Sequence, residues 1–264
     1  MNLDKKHIAL EVENLSIGYK SKKHTNVIAV GLNFSLFQGE MAAIVGINGI
    51  GKSTLLRTLG KVQPKLSGSI RLNNMELKSY KTIDLASMIS VVLTEPLASK
   101  NLTVLELITL GRQPYTNWIG KLSNEDKNII KEAINMVDLG KLQHKKCYEI
   151  SDGQLQRVMI ARALAQDTSI ILLDEPTSHL DLHHKVQILK LLKSIAHKTN
   201  KTILFTSHEI EMAIQLCDKI LIMNTDVHHY GNPCELIQKQ SFEKMFPTDT
   251  VNFDPKTGSF KIEK

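Results

Sequence analysis

Hydrophobic and polar positions change their period along this chain, and each change marks a strand, a helix or a turn. Ile8, Leu10 and Val12 alternate with polar neighbours, as in a half-buried strand, and Val27 to Phe37 reads as a further strand. The polar stretch SKKHTN at 21–26 predicts the turn between them. Met41 to Val45 is apolar at every position, the composition of a strand covered on both faces, and it runs directly into Gly46. Ser53 to Leu59 then has helical spacing and stops at Gly60.

The middle of the chain is helical in character from Thr103 to about Leu142. It includes a cap at Ser123 with Asp126 three residues on, followed by one apolar face made of Ile129, Ile130, Ala133, Ile134 and Val137. A further amphipathic helix is predicted from Gly153 to about Ala165. Apolar runs of strand type return at 169–173, 202–206 and 219–223, with a helical stretch near 183–197. The simplest account is an α/β core interrupted by a helical insertion. Near the end, NFDPKTGSF at 252–260 reads as a turn between two short strands. No repeat or low-complexity tract interrupts the pattern.

Composition narrows the class. With 264 residues, 42% hydrophobic and 23% charged, the chain can bury a full core. Its net charge of +6 is compatible with anionic ligands, but the basic residues are spread out, with no block of like charge. A solvated surface is therefore expected, and no nucleic-acid partner. Three cysteines without metal-site spacing fit a reducing compartment and argue against a disulfide framework. The first residues lack the apolar core and cleavage site of a signal peptide, and no apolar run approaches a membrane span. The expectation is a soluble cytoplasmic chain whose membrane role, if any, comes through a partner. The adjacent pairs His183–His184 and His228–His229 have no matching ligand cluster and read as surface residues.

The candidate chemistry begins with GINGIGKST at 46–54. It matches G-x-x-x-x-G-K-[ST] and stands after a strand and before a helix, where that motif grips phosphates. Gly46, Gly49 and Gly51 allow the backbone to curl so that successive N–H groups face one anion, and the following helix presents its positive end to the same place. Lys52 is expected to reach the β and γ phosphates, Ser53 to ligate Mg²⁺, and Thr54 to touch the α phosphate. In IILLDEP at 170–176, four apolar residues deliver Asp174 and Glu175 to the carboxyl edge of a sheet. Asp174 is placed to hold the Mg²⁺ shell and Glu175 to act as general base toward water.

Two further segments carry a resemblance. Tyr148 to Gln166 (YEISDGQLQRVMIARALAQ) places Ser151, Gly153 and Gln154 at a helix start just before the acidic strand. PTSHLD at 176–181 and TSHE at 206–209 follow it. In this order the motifs resemble the nucleotide-binding subunit of ATP-binding-cassette (ABC) transporters, over nearly the whole chain from Tyr19 to about Gly231. The resemblance implies a P-loop NTPase core with an N-terminal antiparallel β subdomain and an inserted α-helical subdomain. It divides the chain into a nucleotide-binding core (1–95 and 161–231), a helical insertion carrying the signature motif (96–160) and a C-terminal extension (232–264). It implies ATP and Mg²⁺ as ligands, with Gly46, Asn48, Gly49, Gly51, Lys52, Ser53 and Thr54 in the nucleotide contact set. Tyr19 would stack on adenine, Glu175 would be the base, and His208 would contact the γ phosphate. It also implies a head-to-tail homodimer in which Ser151, Gly153 and Gln154 of one copy close on the ATP held by the other. Ser178, His179 and Asp181 would lie in the loop coupling the two sites.

At two positions the sequence leaves the family's pattern. Asp152 stands where Gly is usual, so its carboxylate must point away from phosphate, bind a cation or weaken the closed dimer. In VVLTEPLASKNLTV at 91–104, where the family places a Gln that touches Mg²⁺, the expectation is that Glu95 takes that role, with Ser53 and Asp174 as the other metal residues. TVLELITLGRQPY at 103–115 and the His of PTSHLD resemble the importer ATPases for iron–siderophore, haem and cobalamin uptake. That class implies multi-span permease subunits, an extracytoplasmic substrate-binding protein and a peripheral place on the cytoplasmic membrane face. The alternative is a soluble ABC ATPase such as an iron–sulfur cluster assembly factor. A small P-loop kinase would leave Ser151–Gln154 and His208 unexplained.

Overall fold

The computed structural model describes residues 7–22, 24–95, 97, 99–245 and 251–262. β1 (Ile8–Lys20) and β2 (Thr25–Phe37) form a long antiparallel hairpin. β3 (Met41–Val45) follows and leads into α1 (Lys52–Leu59). β4 (Ser67–Leu72) and β5 (Met75–Glu76) join β1 and β2 in a four-stranded antiparallel sheet of order β2-β1-β4-β5. After the short α2 (Thr82–Ala86) comes β6 (Ile89–Val92), the edge of the second sheet.

The insertion holds α3 (Val104–Thr109), α4 (Asn124–Met136) and α5 (Asp152–Ala165). The chain then returns through β7 (Ile170–Leu173), α6 (Leu182–Thr199), β8 (Thr202–Thr206), α7 (Ile210–Leu216), β9 (Lys219–Ile222) and β10 (His229–Gly231). The second sheet has order β10-β9-β3-β8-β7-β6 and is parallel except for β10. Last come α8 (Pro233–Gln238) and the hairpin of β11 (Val251–Asp254) and β12 (Ser259–Ile262). Phe242 stacks on Phe253, whose edge meets Phe260, and the Phe260 N–H donates to the Glu211 carboxylate, so the hairpin is stapled to α7.

The apolar strands are buried on both sides because they separate two cores. Ala42, Ile44, Ile170, Leu172, Leu204 and Leu221 face the core under the antiparallel sheet and α1. Their neighbours Met41, Ala43, Val45, Ile171, Leu173, Ile203, Phe205, Ile220 and Ile222 face the core under α5 and α6. Alternate residues of each strand thus supply opposite layers, as the two-residue strand period requires. One expectation changes here. α5 is not one-faced, because Val158, Ile160, Ala161, Ala163, Leu164 and Ala165 are all buried and together circle the helix. Its second half is packed between α3, α4 and the edge of the sheet.

The segment GRQPY at 111–115 is what closes the insertion onto the end of α5. A Cβ on Gly111 would stand 2.3 Å from the Arg162 carbonyl oxygen, so only glycine lets the two backbones approach. Arg112 is buried, donates to the terminal carbonyl of Ala165 and pairs with Asp126 at 2.8 Å, while Tyr115 donates to the Gln166 carbonyl. The Ser123 hydroxyl and N–H also donate to Asp126, and together with Arg112 they hold its carboxyl below the usual carboxylate range. The α4 cap expected at Ser123 is thus also the counter-ion site of a buried arginine. Among the described residues no helix is long and apolar enough to cross a membrane.

Removing Asp126 would strand the Arg112 charge. Asp126→Ala is expected to cost about 3 kcal/mol and to lower Tm by roughly 6–10 °C in calorimetry. A loss below one degree would show that the pair contributes nothing.

Candidate active site

The carboxyl ends of β3, β6, β7 and β8 lie side by side, since the four strands are parallel and in register. Whatever follows each strand is therefore delivered to one edge of the sheet. After β3 comes the loop Gly46–Gly51. A Cβ on Gly46 would stand 2.6 Å from the Met223 carbonyl oxygen. Gly51 caps α1 with a left-handed φ of 105°, and a Cβ there would strike Ile28 at 2.4 Å. The loop thus keeps its curl only with glycine at these places.

Lys52 is buried beneath this loop. Its Nζ donates to the carbonyls of Gly46 at 2.9 Å and Ile47 at 3.2 Å and lies 3.4 Å from His208 Nδ1. Burial pushes the ammonium below the ordinary lysine value, while Glu175 and Asp174 pull it partly back. An anion in the loop would supply the solvation this charge lacks.

Beyond β7, the Asp174 carboxylate is buried and accepts from hydroxyls on three different parts of the chain. Thr206 Oγ1 at the end of β8 donates at 2.7 Å and Ser53 Oγ of α1 at 2.9 Å, both to Oδ1; Thr94 Oγ1 beyond β6 donates to Oδ2 at 3.3 Å. Glu175 follows with a left-handed φ of 45°, and its N–H donates to Thr206 Oγ1 at 2.8 Å. That backbone turn is costly for a non-glycine residue, and it aims the Glu175 side chain toward the loop. His208, just past β8, meets Glu175 Oε1 through Nε2 at 2.6 Å. Lys52 Nζ and Glu175 Oε1 thus stand at the two ring nitrogens of His208.

Tyr19, Ile28, Asn48, Gly49, Gly51, Lys52, Ser53, Thr54, Glu175 and His208 line one open cleft of about 560 Å³. Its size suits a small ligand, and its donors suit an anion. Tyr19 is half exposed over the cleft, with its hydroxyl 3.2 Å from Thr54 Oγ1. Toward Mg²⁺ the donor set also fits, because Ser53, Thr94 and Asp174 offer only hard oxygens within reach of one another. Among the described residues no group of His, Cys, Asp and Glu marks any other metal site, and the three cysteines are free.

Not every expected residue comes together here. Glu95 makes no hydrogen bond to Ser53 or Asp174; its carboxylate pairs with Arg57 of α1 at 2.9 Å. Two carboxylates already stand at the edge, and a third could only repel them. Thr94, one residue earlier, is the residue of this segment whose hydroxyl reaches Asp174. Its signal was in the sequence: it lies just beyond the apolar strand ISVV, and residues just past parallel strands gather at one edge.

Ser151, Gly153 and Gln154 likewise lie outside the cleft, at the exposed start of α5. There Ser151 Oγ accepts from the Gln154 N–H and the Gln154 side chain accepts from the Ser151 N–H, a reciprocal cap. Gly153 packs against the His184 ring, with room of only 3.4 Å for a Cβ. Asp152 sits in the first turn, where a carboxylate complements the positive helix end. It lines a second groove with Thr94, Glu95, Lys100, Asp174, Glu175, Ser178 and His179. Asp174 and Glu175 are the wall between this groove and the loop that holds Lys52.

A family model described as ABC transporter matches residues 30–178. An uncharacterized ABC transporter ATP-binding protein of Methanocaldococcus jannaschii is 38% identical over 96% of this chain and 87% of its own length. The iron(3+)-hydroxamate import ATP-binding protein FhuC of Bacillus subtilis is 34% identical over 94% of this chain and 92% of its own. Among solved structures, an inward-facing metal-chelate type ABC transporter superposes with a TM-score of 0.78 at 30% identity, covering 90% of this chain and 89% of that one. A dimeric bacterial ABC transporter cassette superposes with a TM-score of 0.70 at 27% identity, covering 83% of this chain and 97% of that one.

Lys52 gives a test that separates binding from folding. At a nucleotide concentration about a hundred times Kd, bound ligand should stabilise the wild-type chain by about 2.7 kcal/mol, several degrees in Tm. Lys52→Met is expected to abolish that ATP-dependent rise in scanning fluorimetry. The unliganded variant should melt no lower than wild type, because the buried charge is gone. The charge penalty is present at neutral pH and is relieved as pH rises through the folded pKa, so the advantage of Lys52→Met should shrink toward alkaline pH. An undiminished ATP shift in the variant would remove Lys52 from the phosphate site.

Proposed function

We propose, for a chain that belongs to the ABC transporter family and is its ATP-hydrolysing subunit, that it powers import of an iron chelate or a chemically similar metal complex such as haem or cobalamin. The observation that carries this reading is the division of the site. The cleft gathers the Gly46–Thr54 loop, Glu175 and His208, while the capped start of α5 is exposed outside it; on this reading that start faces the cleft of a second copy. A similar cassette has been solved as a dimer, which supports pairing of two copies; the head-to-tail arrangement is part of the proposal. Import is supported by the name of the relative from Bacillus subtilis, and a metal-chelate cargo by the metal-chelate type ABC transporter with which this chain superposes. Both favour transport over cluster assembly. The partners on this reading are multi-span permease subunits, with an extracytoplasmic binding protein delivering substrate, and the chain works at the cytoplasmic membrane face.

In the proposed mechanism the N–H groups of the loop and Lys52 hold the phosphates, and Tyr19 covers the base. Ser53 and Asp174 hold Mg²⁺, which supplies charge neutralisation at the transferring phosphoryl group. Glu175 accepts the proton of the attacking water. His208 orients the Glu175 carboxylate through Nε2 and lies between the base and Lys52, so one imidazole touches both the proton acceptor and the phosphate clamp. Ser151 and Gly153 of a second copy would add donors to the terminal phosphate, which makes that phosphate the bridge between subunits. Its departure on hydrolysis removes the bridge and lets the pair reopen.

Glu175→Gln should keep Mg-ATP binding and lower turnover at least a hundredfold, with the variant accumulating as an ATP-bound dimer in sedimentation analysis. Turnover equal to wild type would exclude Glu175 as the base. For the substrate class, the chain should be co-purified with its permease and the complex reconstituted. Iron chelates are expected to stimulate ATPase in the presence of the cognate binding protein, and stimulation only by unrelated solutes would reject the iron-chelate reading.

A further inference from the structure

We infer that Thr94 is a metal-shell residue through which the root of the helical insertion is tied to Mg²⁺, while Glu95 anchors the same root to α1. The inference rests on the nucleotide-site reading and deepens it. Its basis is the pair of adjacent anchors. β6 pairs with β7 in the register Val92–Leu173, and the Asp174 N–H donates to the Val92 carbonyl at 2.8 Å. The sheet therefore fixes where the chain stands when it leaves β6. Two residues later the Thr94 hydroxyl reaches the Asp174 carboxylate, on the oxygen that Ser53 and Thr206 leave free. The next side chain, Glu95, pairs with Arg57 instead of Asp174.

The chemistry decides which neighbour faces inward. A hydroxyl both donates and accepts. Without metal, Thr94 can donate to Asp174; with metal, it can turn a lone pair to the cation or to a cation-bound water, as Ser53 does from the other side. An ionised Glu95 could do only the second, and would add a third negative charge beside Asp174 and Glu175. Placing it on Arg57 converts that charge into a brace on the helix that opens from the phosphate loop.

A threonine side chain is also short. Contact with the metal shell therefore holds the backbone of the root itself against the edge of the sheet, whereas a longer side chain would let the root drift. The root leads through Leu97 and Leu102, both packed on the larger core, into α3.

The test measures metal affinity directly. Mn²⁺ would replace Mg²⁺, a non-hydrolysable ATP analogue would fill the site, and free Mn²⁺ would be counted by electron paramagnetic resonance in the full-length chain. Thr94→Val, which keeps shape and loses the hydroxyl, is expected to weaken Mn²⁺ roughly fivefold, the usual range for one hydrogen bond. Thr94→Ser should restore wild-type affinity, and Glu95→Ala should leave it unchanged. Analogue affinity in chelator without metal should be the same in wild type and Thr94→Val, which shows that the site still folds. Wild-type Mn²⁺ affinity in Thr94→Val, or a loss in Glu95→Ala equal to that expected of Thr94→Val, overturns the assignment. Lys52→Met separates the two levels: if it binds the analogue as wild type does, the nucleotide-site reading itself fails, independently of Thr94.

Discussion

The carboxylate of Asp174 sits almost out of reach of water, and it is kept there by hydroxyls from Ser53, Thr94 and Thr206. An ionised group in such a place must be satisfied by its neighbours or lose its charge. Here the neighbours come from α1, from the root of the helical insertion and from the end of β8. One buried charge therefore holds three distant parts of the sequence to a common point. Lys52 supplies the opposite charge nearby, itself short of solvation beneath the loop. A carboxylate with surplus hydroxyls beside an under-solvated ammonium is a site prepared for a cation and an anion together. That pairing is what Mg²⁺ with a polyphosphate provides.

How much of this could be read from the sequence depends on whether the determinant was local. The strands MAAIV and IILL, the phosphate loop and the cap at Ser123 are each written in contiguous residues, and the structure forms each of them where expected. The ABC assignment rested on ordered motifs, and the family match agrees with it. Where side chains meet through the sheet, local reading fell short. Thr94 and Thr206 come to Asp174 only because three parallel strands share a register, a fact about pairing and not about spacing. Glu95 was expected in the metal role because the family places a Gln at this junction, whereas here its carboxylate is paired with Arg57. The one-faced helix expected after Gly153 failed for a related reason: α5 is packed on more than one side, so burial overrode the period.

The same distinction applies to GRQPY. As a string it looked like a mark of one transporter class. In the structure each part has a local reason: Gly111 for close backbone approach, Arg112 to satisfy the end of α5, and Tyr115 stacked against the Arg112 guanidinium at 3.9 Å. The segment is a clamp on the far end of the helix whose near end carries Ser151 and Gly153. A rigid α5, fixed at Ala165 and capped at Ser151, moves as one body, so its exposed start can be presented to another subunit without fraying.

These pieces give the divided site a mechanical sense. Within one subunit, Lys52, His208 and Glu175 form a continuous chain from the loop carbonyls to the base, so the base is oriented before any second copy arrives. What the subunit does not supply on the proposed reading is the closing wall, because Ser151, Gly153 and Gln154 at its own α5 start do not line its cleft. Asp152 at that start complements the helix end and lines its own subunit's groove. The carboxylate therefore stabilises the helix that must be presented and has its own place beside Lys100. On the proposed reading hydrolysis is conditional on assembly: the proton acceptor stands ready in the single chain, but the charge on the terminal phosphate would be fully countered only when a second α5 closes on it. An ATPase that couples nucleotide to motion needs that order of events, since a site complete in the monomer would spend its substrate without moving anything.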